Sequence, residues 1–280
     1  MSGFISKLKF VPNMLTCSSA VCGMTAVILA FDGEKSLVYA AYLVFLACLF
    51  DFSDGFAARL LNAKSAIGKD LDSLADAVSF GVAPTAIMYQ LLKQAMRVEN
   101  KDLIDLRPEQ ILVLMCSLSI VIFSILRLAK FNVSTDQAYG FKGLATPANA
   151  MLVASVPLIN QMVPEDFWIY QFLHFAYDVD FPITTTVALI AIQVFVFGRA
   201  VWLLPMCLFY SALEMTDLPM FSLKMKSYKY KDNKLVYNFL IVSALLLLVL
   251  QWIAVPIIIF NYVLVSFIKW LIDRKKANAL

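Results

Sequence analysis

The chain has 280 residues, of which 61% are hydrophobic and only 15% are charged, and its mean hydropathy is +0.78. Soluble domains carry about 25% charged residues, so this chain has too few charges to cover a water-exposed surface. The composition excludes a soluble globular enzyme, a disordered chain and a nucleic-acid-binding protein. Its five cysteines have neither metal-ligand spacing nor a disulfide pattern and are expected to be small buried apolar residues. We therefore predict an all-α integral membrane protein.

Apolar runs long enough for transmembrane helices recur along the whole chain. A helix needs about 20 mostly apolar residues to cross the hydrocarbon core. The run 183–213 is ambiguous, because it is long for one span, short for two and interrupted by Gly198 and Arg199. We predict that it is one long or tilted crossing, and that the last apolar stretch forms a helical hairpin. The predicted spans cover 14–31, 36–61, 71–92, 110–130, 147–163, 183–213, 235–251 and 253–271.

The distribution of Lys and Arg predicts the orientation of these spans. Basic residues gather in short cytoplasmic loops. About eight spans with both termini in the cytoplasm agree best with this rule. Loop 164–182, predicted to lie outside, is acidic and has no Lys or Arg. The one exception is loop 93–107, which is also predicted to lie outside although it contains Lys and Arg. The predicted organisation is a membrane core over 1–215, a basic cytoplasmic loop over 216–234, and a C-terminal transmembrane hairpin and tail over 235–280.

Five aspartates lie close together at the end of the second predicted span and the start of the third. An Asp at the centre of a membrane helix costs about 2.5–3.5 kcal/mol, so such residues usually face a cavity and a partner. Helical spacing places four of them on one face of each of two helices. A turn over 60–67 joins these helices, so the two faces can oppose each other. Asp70 falls on a different face. The first face contains Asp51, Asp54, Gly55, Ala58 and Arg59, and the second contains Gly68, Asp72 and Asp76.

Four converging carboxylates repel one another unless they share protons or a cation compensates for their charge. Arg59 supplies only one positive charge. Oxygen ligands from Asp, without His or Cys nearby, suit Mg²⁺ or Mn²⁺ and argue against zinc. Two such ions can stabilise an in-line displacement at phosphorus, and small residues allow a bulky ligand to approach the backbone. The sequence thus predicts a metal-dependent site for a phosphate-bearing substrate at the cytoplasmic membrane surface.

These eight positions resemble the signature of the CDP-alcohol phosphatidyltransferase family. The resemblance implies a six-helix core, a homodimer embedded among membrane lipids, two divalent cations and a CDP-linked lipid substrate. The entry to the first span, with Asn13, Thr16 and Gly23, also resembles the N-terminal segment of the family. The signature segment reads Asp51-Phe-Ser-Asp54-Gly55-Phe-Ala-Ala58-Arg59 and, after eight residues, Gly68-Lys-Asp-Leu-Asp72-Ser-Leu-Ala-Asp76.

Three other segments, 72–84, 127–132 and 141–147, resemble the phosphatidylserine synthase branch of this family, as do the two helices beyond the six-helix core. Ala145 departs from the branch, which usually has Pro there, and segment 214–224 lacks the usual basic or amide positions. The branch implies phosphatidyl transfer from CDP-diacylglycerol to L-serine with release of CMP. Glycerol 3-phosphate or inositol phosphate is the alternative acceptor. A cation-coupled transporter and a non-catalytic lipid-binding scaffold are alternatives from other classes, although acids clustered in one hairpin argue against a transporter.

The resemblance also implies roles for individual residues. The four acids would hold two Mg²⁺ or Mn²⁺ ions against the pyrophosphate of CDP-diacylglycerol, and Asp76 would also be the general base for the serine hydroxyl. The serine carboxylate needs a cation and its ammonium group needs polar acceptors. The expected ligands are Asp51, Asp54, Asp72 and Asp76 for the metals, Gly55, Ala58, Arg59, Gly68, Asn13 and Thr16 for the CDP-lipid, and Arg127, Asn132 and Lys142 for serine.

Overall fold

The structure is a computed structural model that describes residues 10–63, 66–133, 142–162, 200–221 and 230–277. Within these ranges the regular structure is helical, apart from one isolated β-bridge between Lys142 and Pro219. The prediction of an all-α protein is confirmed.

Ten α-helices lie in the described ranges, and we number them in chain order. A π-helical segment, Ala77–Val82, joins α3 directly to α4, and a short 3₁₀ turn, Gln251–Ile253, joins α9 to α10. The helices are α1 (Val11–Ala30), α2 (Glu34–Leu60), α3 (Ala66–Asp76), α4 (Ala83–Ala95), α5 (Pro108–Met115), α6 (Leu118–Val133), α7 (Thr146–Gln161), α8 (Ala200–Met215), α9 (Lys234–Leu250) and α10 (Ala254–Ala277).

Four stretches of the described chain are long and apolar enough to cross a membrane. This agrees with the prediction of an integral membrane protein. The number of crossings and the division of the chain into 1–215, 216–234 and 235–280 stay predictions. Most of the run 183–213, including Arg199, lies outside the described residues. The four stretches are Val11–Ala30, Glu34–Leu60, Pro108–Val133 and Lys234–Lys275.

Helices α1 and α2 form a tightly packed pair, and small buried residues are the reason. The connection turns at Gly33, whose φ of 118° is one that side-chain-bearing residues rarely adopt. Small buried residues recur every three or four positions on both helices, so the two backbones approach closely, as at other membrane helix interfaces. The buried face of α1 contains Thr16, Ser19, Cys22, Gly23, Ala26 and Ala30, and that of α2 contains Leu37, Ala40, Ala41, Val44 and Ala47.

The predicted fourth span is interrupted, because α5 ends at Met115 and α6 begins at Leu118. At the break, the Ser117 hydroxyl donates to the carbonyl of Leu114 over 2.7 Å, and the backbone N–H of Ser119 bonds to the carbonyl of Cys116 over 3.1 Å. A serine side chain that bonds to the preceding turn competes with regular helical bonding. The sequence pattern did not predict this break.

The stretch Lys234–Lys275 folds back on itself at Gln251. Phe239 and Tyr262 lie on either side of that residue and their ring centroids are 5.8 Å apart, which a straight helix would not allow. Trp252 at the tip packs against Tyr42 and Phe45 of α2, with centroid distances of 5.7 and 5.1 Å. The C-terminal helices therefore form a hairpin that packs against the rest of the bundle.

Candidate active site

The buried face of α2 leads directly to the acidic residues. Ala40, Val44 and Ala47 are fully buried, and Asp51 and Asp54 follow at the next helical steps of four and three residues. Helix α3 packs against α1 and ends at Asp76. The same packing that buries the small residues of α1 and α2 therefore brings the two acidic faces together.

Three of the four predicted metal ligands converge closely. Asp51, Asp72 and Asp76 each offer a carboxylate oxygen within 4.8 Å of those of the other two. Asp54 lies beside this group, close enough to interact electrostatically with the other three. Asp54 is 6% exposed, and the Thr16 hydroxyl lies 2.5 Å from its Oδ2 atom.

No ion pair neutralises these acids within the described ranges. The ion pairs found there, Arg107–Glu109 and Lys130–Asp217, involve none of the four aspartates, and Arg59 is exposed. Partly buried carboxylates at this separation repel one another strongly. A bound divalent cation would remove the repulsion, and carboxylate oxygens are the ligands that Mg²⁺ and Mn²⁺ prefer. The residues present therefore fit a metal of this class.

The residues predicted to bind the CDP-lipid lie on three helices, α1, α2 and α3. A Cβ atom added at Gly55 would meet nothing within 4 Å, so the space beside that backbone is open. Ala58 and Gly68 are partly buried. Asn13 lies one turn before Thr16 and, together with other residues of α1 and with Phe50 of α2, lines a groove of about 580 Å³. Thr16 itself contacts Asp54, so its hydroxyl is in a position to hold that carboxylate.

The three residues predicted to bind serine occupy different surroundings. Arg127 is partly buried and interacts electrostatically with both Asp76 and Glu214. Asn132 donates from Nδ2 to the Ser73 hydroxyl over 2.7 Å, which ties the end of α6 to α3. Lys142 is exposed and forms the β-bridge to Pro219. No hydrogen bond or ion pair links Asn132 or Lys142 to Arg127 in the described part of the chain, and the serine-binding role of all three stays a prediction.

Sequence reasoning missed a buried acid that interacts electrostatically with Arg127. Glu214 on α8 is 2% exposed and accepts hydrogen bonds from Asn149 Nδ2 over 2.7 Å and from the Ser124 hydroxyl over 3.1 Å. In the sequence, this position is part of segment 214–224, which departs from the serine branch. The available signal was an acidic residue in an otherwise apolar helix, which in a membrane protein usually marks a functional site.

A layer of serines next to the acids holds three helical elements together. Ser79 of the π-helical segment donates to the carbonyl of Ser19 over 2.9 Å, and the Ser19 hydroxyl lies 3.2 Å from the carbonyl of Ala47. One turn further along α1, a Cβ atom at Gly23 would lie 2.6 Å from the Cα of Ser79. Because Ser79 is three residues after Asp76, this close packing fixes the position of that acid.

Replacing Gly23 with Ala is therefore expected to destabilise the protein by about 1–3 kcal/mol, because the new methyl group overpacks against backbone that cannot move freely. The measurement is the shift in thermal unfolding in detergent. Gly55→Ala is the matched control, since its Cβ enters open space and Ala favours the helix, so its thermal stability should stay equal or rise. Equal stability of the two variants would contradict the packing argument.

The similarity to known proteins agrees with this arrangement. A model of the family described as CDP-alcohol phosphatidyltransferase matches residues 9–218, three-quarters of the chain. The chain belongs to the CDP-alcohol phosphatidyltransferase family. The resemblance drawn from the eight signature positions is thereby confirmed, and the match includes all four aspartates.

Individual known proteins are similar over about half of this chain. A CDP-diacylglycerol–serine O-phosphatidyltransferase of Helicobacter pylori is 37% identical over 158 residues, which are 56% of this chain and 60% of that protein. One of Bacillus subtilis is 32% identical over 149 residues, 51% of this chain and 73% of that protein. An archaetidylserine synthase of Methanothermobacter thermautotrophicus is 37% identical over 153 residues, 54% and 59% of the respective chains. The matched region thus spans about three-fifths of the Helicobacter and Methanothermobacter relatives.

Proposed function

We propose that this protein transfers the phosphatidyl group of CDP-diacylglycerol to the hydroxyl group of L-serine, giving phosphatidylserine and CMP. The main support for this proposal is that signature aspartates of α2 and α3 converge in a chain that belongs to the CDP-alcohol phosphatidyltransferase family. The names of the similar serine phosphatidyltransferases support serine as the acceptor.

Asp51, Asp54, Asp72 and Asp76 would hold two divalent cations. When bound, Mg²⁺ or Mn²⁺ ions neutralise the acids and stabilise negative charge on the pyrophosphate oxygens. The protein contributes the arrangement of the ligands. The Thr16 hydroxyl holds the Asp54 carboxylate, and the serine layer around Ser79 fixes Asp76.

We assign the general base to Asp76. It lies at the end of α3 within the acidic cluster, and it also interacts electrostatically with Arg127, the predicted ligand for the serine carboxylate. Asp76 would accept the proton of the serine hydroxyl while the serine oxygen forms its bond to the lipid-side phosphorus. The bond between that phosphorus and the CMP oxygen breaks, and CMP leaves.

The remaining predicted roles belong to the same proposal. Open space beside Gly55, with Ala58 and Gly68 nearby, would admit the nucleotide and its phosphates, and the exposed Arg59 side chain would bind a phosphate. From the distribution of basic residues, the termini and the site are proposed to face the cytoplasm. The proposal that the protein is a homodimer rests on the family resemblance alone.

Purified protein in detergent micelles with CDP-diacylglycerol and either Mg²⁺ or Mn²⁺ should release CMP when L-serine is added. The assay compares serine with glycerol 3-phosphate, inositol and inositol phosphate under the same conditions. Release of CMP with one of the other alcohols and not with serine would refute serine as the acceptor while leaving the type of reaction intact. Metal-dependent ion flux through vesicles, without CMP from any alcohol, would favour a transporter instead.

A further inference from the structure

A second polar cluster is buried between α6, α7 and α8, next to the aspartates. Its centre is the Glu214 carboxylate, which receives hydrogen bonds from Asn149 of α7 and Ser124 of α6. Glu214 and Asn149 are 2% and 1% exposed, and Ser124 is fully buried. A buried charge in a membrane protein is expensive unless it has a partner, so this cluster requires an explanation.

Two hydrogen-bond acceptors of the cluster, on Asn149 and Glu214, are not fully used. A carboxylate only accepts hydrogen bonds, so the Asn149 amide must turn its Nδ2 atom toward Glu214. Its Oδ1 atom is then buried without a hydrogen-bond partner in the protein. A carboxylate has about four acceptor positions, and the two donors named above leave capacity on Glu214. The cluster therefore presents unused acceptor atoms, which suit a group with several N–H donors.

Arg127 connects this cluster to the catalytic acids. It lies one turn after Ser124 on α6 and interacts electrostatically with both Glu214 and Asp76. It forms no ion pair within 4.0 Å with either, as far as the described residues extend, and its Nε atom is buried without a hydrogen-bond partner. The guanidinium group thus interacts with both acidic sites and has a buried donor still available for an anion.

We propose that Glu214 and Asn149 bind the ammonium group of the acceptor amino acid, while Arg127 binds its carboxylate and directs its hydroxyl toward Asp76. This inference rests on the proposed transfer to serine and specifies how the zwitterion is recognised. An ammonium group has three donors, which match the free acceptor positions on Glu214 and Asn149 Oδ1. A polyol phosphate has no positively charged group, and Glu214 would repel its negative charge. Glu214 therefore selects against such acceptors.

The test is Glu214→Gln, which keeps the size and the hydrogen-bond acceptor of the side chain but removes its charge. We expect the KM for L-serine to rise by roughly tenfold or more, because a charge-assisted hydrogen bond is replaced by a neutral one. The KM for CDP-diacylglycerol and kcat at saturating serine should stay within about twofold. Asp217→Asn is the matched control: it removes the same charge three residues away, at an exposed side chain that pairs with Lys130. All its constants should remain unchanged.

A second readout separates recognition from folding. Glycerate carries a hydroxyl group where serine carries its ammonium group, so wild-type protein should strongly prefer serine, and Glu214→Gln should lose most of that preference. Thermal stabilisation by serine should also require a higher serine concentration in the variant, which reports binding without turnover. An unchanged serine KM and an unchanged serine–glycerate preference would overturn this inference alone. Absence of serine-dependent CMP release from wild-type protein would instead overturn the proposed function.

Discussion

Replacing Asp76 with Asn is expected to lower the rate of CMP release by about 10²–10⁴-fold, the range that general-base catalysis contributes. The amide cannot accept the proton of the serine hydroxyl, although its oxygen remains a possible metal ligand. The measurement is the steady-state rate of serine-dependent CMP release at saturating CDP-diacylglycerol and metal. Because the side chain keeps its size, the variant should unfold at the same temperature as the wild type or higher, since one repelling charge of the cluster is gone.

Asp70→Asn is the matched control for this prediction. Asp70 lies on the same helix, α3, but its side chain is exposed and does not belong to the group formed by Asp51, Asp72 and Asp76. Its loss should leave the rate within about twofold, as surface substitutions outside a site usually do. Substantial activity in Asp76→Asn would refute the assignment of this residue as the base, and a scaffold protein would tolerate both changes equally.

Removal of divalent metal is expected to reduce CMP release to about 1% or less, with recovery on addition of Mg²⁺ or Mn²⁺, because the uncompensated acids then repel the pyrophosphate. Metal binding should also be visible without turnover. Electron paramagnetic resonance of the Mn²⁺-loaded protein is expected to report binding that Asp51→Asn weakens by about tenfold or more, since one ligand has lost its charge.

The same control applies to the metal. Asp70→Asn removes one negative charge from α3 without touching the convergent oxygens, so it should bind Mn²⁺ like the wild type. Equal weakening by both substitutions would mean that the ion is attracted by the net charge of this surface and has no defined ligands. Full activity in excess chelator would refute the metal-dependent reaction.

The two acidic faces were predictable because helical periodicity is local. Offsets of three and four residues align side chains in any α-helix, and the short turn between α2 and α3 leaves few ways to arrange the two faces. The C-terminal hairpin was predictable for a similar reason, since an apolar stretch of that length with Gln251 and Trp252 at its centre must fold back to remain in the membrane.

The cluster around Glu214 was not predictable from such local patterns. Its members come from three helices that are far apart in sequence, and only tertiary packing brings Ser124, Asn149 and Glu214 together. The same limit applies to the residues predicted to bind serine, whose roles stay predictions. Arg127 and Asn132 are five residues apart on α6, so helical geometry directs them to different faces, and Asn132 contacts Ser73 of α3.

The π-helical segment Ala77–Val82 determines how far α4 is rotated about the helix axis relative to α3. In unbroken α-helical winding, Asp76 and Ala83 would point almost the same way, because seven residues complete nearly two turns. A π-type turn contains about one residue more, which offsets the later half by roughly 100°. Asp76 thus joins the other aspartates, while the following turns bury Ala83 and Ile87 in the apolar interior, so one continuous helix contributes to both the polar site and the apolar core.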